Sequence, residues 1–164
     1  MSTPPKPAGR PRTGARVAAV QALFQSEQSG ETAETVAQQF IRHRIGAGEG
    51  DDAFDEGRVP LAHIPLFEAI LKAAATRAEA TDAEIRAHLQ RDWTLERLDP
   101  VLRALLRAAA AELMSGKEPP ARVVINEYLD IVRGFLDEET SRFANGVLDA
   151  MAHTLRPTEF GAAR

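Results

Sequence analysis

The sequence has no cysteine, which excludes a disulfide framework and a thiolate metal site. Aromatic residues make up only 5% of it, with one Trp and one Tyr. Alanine is abundant, a balance that favours closely packed helices over a sheet. No apolar run reaches the ~18 residues that would suggest a membrane span. The basic N-terminus lacks the apolar stretch of a secretory signal, so a cytoplasmic protein without membrane association is expected. Catalytic signatures are also missing: there is no G-x-G-x-x-G, phosphate loop or G-x-S-x-G. His43, His63, His88 and His153 are scattered, and none forms H-E-x-x-H. The acidic run of Asp51, Asp52, Asp55 and Glu56 lacks the alternating ligands of a calcium loop and reads as a solvated loop. Neither an enzyme, a metal nor a cofactor is expected.

What is present suits one folded domain. The chain has 164 residues, 44% of them hydrophobic, enough for a real core. Its net charge of -4 is unevenly spread. Lys6, Arg10, Arg12 and Arg16 stand among the first sixteen residues with no acid, leaving the remainder at -8. A basic arm on an acidic body points to a polyanionic partner reached through the arm. Residues 1–13, rich in Pro, Gly and basic side chains, are expected to be disordered when free. Taken without other information, a passive solubilising tail is the favoured reading of them.

Apolar spacing predicts seven helices and no strand. The first starts near Thr13 or Gly14, buries Val17, Val20, Leu23 and Phe24, and stops at Ser29-Gly30. The second covers Thr32 to Arg44. After the acidic loop, Pro60 and Pro65 bracket the start of the third, which carries Leu66, Phe67, Ile70 and Leu71. Thr81-Asp82-Ala83-Glu84 fits a capping box and is expected to open the fourth. Asp99-Pro100 reads as the N-cap and first residue of the fifth, which ends at Ser115-Gly116. The last two form a hairpin from Arg122 to Leu155. Val124, Tyr128, Val132 and Phe135 give one apolar stripe, and Phe143, Val147, Met151 and Leu155 give the other. Asp137, Glu138 and Glu139 supply an N-cap and two first-turn acids between them. Residues 157–164 read as a frayed tail. The helices divide into two packed subdomains, about 14–80 and 81–156.

Several residues fit these stripes poorly. Gly146 lies inside a helix, where glycine costs about 1 kcal/mol against alanine, so close packing of a helix or ligand is expected there. Asn126 and Asn145 read either as buried amides bonding a neighbouring helix or as ligand contacts. Arg107 is open to an ion pair or a ligand contact. Phe135 and Phe143 lie on core stripes, but aromatics are also what hold splayed RNA bases.

VVINEYLDIVRGF followed by SRFANGVLD resembles the C-terminal signature of the NusB family of bacterial antitermination factors. RVAAVQALF, from Arg16 to Phe24, is similar to the family's first helix, and LDPVLRALLRAAAAEL to its central one. The likeness covers roughly residues 15–157. It departs where the family often has Tyr and this chain has Ala111, and in the sparser arginines of the arm. The resemblance implies an all-α fold and an assembly role. Such a protein binds the single-stranded boxA element of nascent RNA together with NusE, a small-subunit ribosomal protein. It then joins the RNA polymerase antitermination complex on ribosomal RNA operons. It also implies that residues matching Glu139 and Phe143 lie on the RNA surface. With it, the RNA-binding candidates are Arg10, Arg12, Arg16, Phe24, Phe135, Glu139, Arg142 and Phe143, Phe24 having a core role as its alternative. Two other functions stay open. One is a helical domain related to an RNA 5-methylcytosine methyltransferase, against which the absence of cysteine counts. The other is a protein-interaction module with a passive tail.

Overall fold

The computed structural model describes residues 10–45 and 62–161. The acidic run and residues 1–9 of the arm lie outside the described residues. Seven α-helices and two short 3-10 turns make up these segments, and no strand occurs among them. The chain divides into two compact units, Met1–Lys72 and Ala73–Arg164. The division falls inside the third helix rather than near residue 80.

In the first unit, helix α1 (Pro11–Ser29) begins earlier than its apolar pattern suggests. Pro11 takes the first turn, where a missing N–H costs nothing and its fixed φ suits the helix. Gly30, at φ 79°, ends it by donating its N–H to the Ser26 carbonyl, a left-handed cap that glycine adopts without penalty. The buried face differs from expectation. Ala15, Ala18, Ala19, Val20 and Ala22 are inside, whereas Val17, Leu23 and Phe24 are half-buried. Helix α2 (Ala33–His43) is capped by Thr32, whose hydroxyl accepts from the Thr35 N–H. Its Phe40 stacks on Phe67 at 5.9 Å, both fully buried, with the Arg44 guanidinium over the Phe40 ring. Helix α3 (Ile64–Thr76) opens with the His63 ring accepting from the Leu66 N–H.

In the second unit, helix α4 (Ala78–Ala87) also starts ahead of its signal. Thr81 does not cap. It lies within the helix, buried, and its hydroxyl donates to the Ala78 carbonyl. Alanine-rich sequence on both sides of Arg77 carries helical structure past the supposed start. Helix α5 (Pro100–Met114) is the centre of this unit and packs against α4, α6 and α7. The Asp99 carboxylate caps it by accepting from Val101 and Leu102. Ala108 to Ala111 are all fully buried, small enough for close helix approach. Arg107 resolves as an ion pair, its guanidinium donating to both Asp82 carboxylate oxygens at 2.8 and 3.1 Å. Helices α6 (Ala121–Phe135) and α7 (Glu138–Leu155) form the expected hairpin. Tyr128, fully buried, donates to the Glu112 carboxylate at 2.9 Å.

The described part of the segment after α7, as far as Gly161, is not frayed; residues 162–164 lie outside the described residues. Pro157–Phe160 form a 3-10 turn. Phe160 stacks on His153 at 3.9 Å, and the Glu159 carboxylate accepts from the Ala121 N–H, the first residue of α6. Arg156, buried, anchors the turn. This short ending resembles a tail in sequence because its partners lie far back in the chain.

Candidate nucleic-acid interface

The α1 candidates separate by helical phase. Arg10 stands at the N-cap and Arg12 in the first turn, both exposed. At this end the backbone N–H groups of the first turn, Pro11 lacking one, have no intrahelical partner and favour an anion. Arg16 is a correction: at 2% exposure it belongs to the buried face with Ala15, Ala19 and Val20. With the helix starting at Pro11, Arg16 lies in the second turn, and its i, i+4 spacing to buried Val20 places it on the inward face. It therefore does not stand out toward a strand, and its replacement is expected to cost stability rather than to relieve the helix dipole. Phe24 is half-buried near the other end of the same helix.

The remaining candidates gather where α6 meets α7. Asp137 caps α7 by accepting from the Thr140 N–H at 2.7 Å. Hydrogen bonding by Thr140 holds the Asp137 carboxyl below the usual aspartate range. Glu139 and Arg142 are exposed in the first turns of α7. Phe135, at 51% exposure, leaves the core stripe at the last residue of α6. An open cleft of about 430 Å³ lies between the two helices, lined by Leu129, Arg133, Leu136, Ser141, Arg142 and Asn145.

Phe143 is half-buried, its ring 5.6 Å from that of Trp93 and tilted by 42°. Trp93 lies in the connector between α4 and α5 and is 49% exposed. It carried no helical stripe and no motif, so periodicity gave no reason to single it out. Its being the sole, unassigned Trp in a polar connector was the one available signal.

The expectation of buried amides fails. Asn126 and Asn145 are both exposed, and neither side chain has a hydrogen-bond partner among the described residues. Gly146 is exposed too, and a Cβ built on it meets nothing within 4 Å. The close packing anticipated at this glycine is therefore not supplied by the described residues.

A pH prediction follows from the Asp137 cap. Its folded-state pKa is depressed, so its contribution to stability is complete above the ordinary carboxylate range and is lost as pH falls through the lowered value. Asp137→Asn keeps an acceptor but cannot titrate. Urea midpoints of the two proteins are expected to differ most at neutral pH and to converge in acid. A gap independent of pH would show that the charge on Asp137 contributes nothing.

These features define an all-α bundle with basic and aromatic side chains displayed at its helix ends. Comparison with known proteins makes the class specific. A sequence model of the NusB family matches residues 13–153, and the chain belongs to that family. It is 54% identical over 155 residues to the transcription antitermination protein NusB of Granulibacter bethesdensis, covering 94% of this chain and 95% of that protein. The corresponding protein of Gluconobacter oxydans is 50% identical, with 89% of each chain covered. Among solved structures, T. maritima NusB superposes with a TM-score of 0.70 at 26% identity, over 99% of this chain and 100% of that one. NusB in a crystal structure of antitermination factors NusB and NusE with double-stranded RNA gives 0.69 at 26% identity, over 88% and 98%.

Proposed function

We propose that this protein is a cytoplasmic transcription antitermination factor that binds single-stranded boxA RNA together with NusE. The complex joins elongating RNA polymerase and supports complete transcription of ribosomal RNA operons. The observation that carries the reading is 54% identity to an antitermination protein across nearly the whole of both chains. The solved relative with NusE holds double-stranded RNA; the preference for a single strand comes from exposed aromatics, which stack on bases once these are splayed out.

The work is assembly, with no bond made or broken. On α1, Arg10 and Arg12 contact phosphate and Phe24 contributes an aromatic edge. On the α6–α7 hairpin, Phe135 and Phe143 meet bases, with Glu139 and Arg142 as polar contacts. RNA and NusE each bind weakly alone. Bound together, each raises the effective concentration of the other.

The test is a titration of boxA-like RNA with and without NusE. NusE is expected to tighten RNA binding, and RNA to tighten NusE binding by the same factor. A scrambled strand should bind more weakly. Equal affinity for boxA-like and scrambled strands, whether or not NusE is present, would leave only a protein-interaction module. Salt dependence tests the arm separately. Each phosphate neutralised contributes about -0.7 to the slope of log affinity against log salt for a single strand. Arg10→Ala with Arg12→Ala is therefore expected to make the slope shallower by roughly 1.4. An unchanged slope and affinity would remove the arm from the interface.

A further inference from the structure

Trp93 is half exposed although its indole is among the largest apolar groups a protein can bury. It is not needed to close the core of its unit, because Leu95 and Leu98 in the same connector are 1% and 3% exposed and fill that role. Nor is the connector loose. Arg103 on α5 donates to the carbonyls of Leu95, Glu96 and Leu98 at 2.9 to 3.3 Å. The indole is thus set beside Phe143 on a fixed support, with much of its surface left to solvent.

We propose that Trp93 and Phe143 together form a two-ring platform that stacks an unpaired base of single-stranded RNA. This rests on the RNA-binding reading above and adds Trp93 to it. Every base has a π-face, so an anchored exposed ring holds a strand without regard to its sequence. Arg91, two residues before Trp93, and Arg142, one before Phe143, are exposed and have no acidic partner among the described residues. Both are available to phosphate. Arg91, Asp92 and Thr94 surround Trp93 in sequence and are exposed as well. The indole therefore stands in polar surroundings instead of an extended apolar patch, which is what a protein partner's hydrophobic face would require.

Trp93 is the chain's single tryptophan, so emission excited selectively in the indole band reports on it alone within this chain. The full chain is titrated with end-labelled boxA-like RNA, with and without NusE, following label anisotropy and indole emission together. Quenching with the same midpoint as the anisotropy is expected. Trp93→Ala should bind the RNA roughly 5- to 150-fold more weakly, Trp93→Phe should retain most of the affinity, and neither should shift the unfolding midpoint appreciably. Binding seen by anisotropy, with emission unchanged and Trp93→Ala binding like the wild type, would overturn the platform and leave the RNA reading standing. An emission change produced by NusE alone, to which RNA adds nothing, would assign the rings to a protein contact and overturn it too. Absence of RNA binding by either signal would bring down both readings.

Discussion

Arg156→Leu is expected to destabilise the protein by roughly 3–5 kcal/mol. One guanidinium here serves three chain segments. It donates to the carbonyls of Glu112 and Leu113 at 3.3 and 3.0 Å, in the last turn of α5. Carbonyls at a helix C-terminus have no intrahelical partner, and a cation there is favoured by the helix dipole. It also donates to the Lys117 and Pro119 carbonyls in the link to α6, at 3.3 and 2.6 Å. Its contact with the Glu159 carboxylate, at 3.4 Å, completes the set, and Glu159 in turn accepts from the first N–H of α6. Leucine would fill part of the volume and leave the buried Glu112 and Leu113 carbonyls without this donor, while the half-buried acceptors of the link would also lose it. Each such loss costs about 1–3 kcal/mol, and the losses do not simply add.

Against a total stability of about 5–15 kcal/mol, the effect should appear as a fall in melting temperature on the order of 10 °C. Arg156→Lys keeps the charge but not the planar fork and should lie between the two. RNA affinity of the folded fraction should be unchanged. Arg156 follows the C-terminal end of the 18-residue α7, about 27 Å along the axis from the turn that meets α6. A loss under about 1 kcal/mol would mean that water satisfies the carbonyls and that the arginine is dispensable.

Arg156 also marks where sequence reading stops. Signals confined to a few residues were legible: Gly30 as a left-handed cap, Asp99-Pro100 and Asp137 as helix starts, and the α6–α7 hairpin from its two stripes. Each depends on contacts within about one helical turn, which is the range that spacing encodes. Thr81 shows the weakness of a four-residue motif when flanking alanines favour helix on both sides. Arg156 closed the last predicted helix without a role, and the residues after it looked like a tail, because its carbonyl acceptors lie some forty positions back. The partner of Trp93, on α7, is similarly remote. Arg16 was misplaced for a different reason: its charge suggested an exposed contact, although it lies four residues before Val20 and so on the buried face of the same helix. The family resemblance supplied the function, and the candidate contacts on α7 came with it. Spacing alone left Phe135 and Phe143 divided between core and surface.

Arg103 links stability to the aromatic pair. It lies one turn into α5, where a positive charge opposes the helix dipole. It is held there by the carbonyls of Leu95, Glu96 and Leu98, and it is only 9% exposed. Arg103→Leu is expected to cost about 2–4 kcal/mol, because up to three carbonyls lose a charged donor. The loss should be local in one respect. The connector that carries Trp93 would gain freedom, so indole emission should shift to the red and its anisotropy fall while helix content stays near that of the wild type. RNA affinity should then drop toward that of Trp93→Ala, although Arg103 itself is buried away from the strand. A double-mutant cycle separates this from general weakening. If Arg103 acts by fixing the indole, adding Arg103→Leu to Trp93→Ala should cost little further RNA affinity, whereas the stability losses should still be close to additive. Additive losses of RNA affinity would show that Arg103 supports the interface by some route other than Trp93. Unchanged emission in Arg103→Leu would show that the connector holds its shape without the guanidinium.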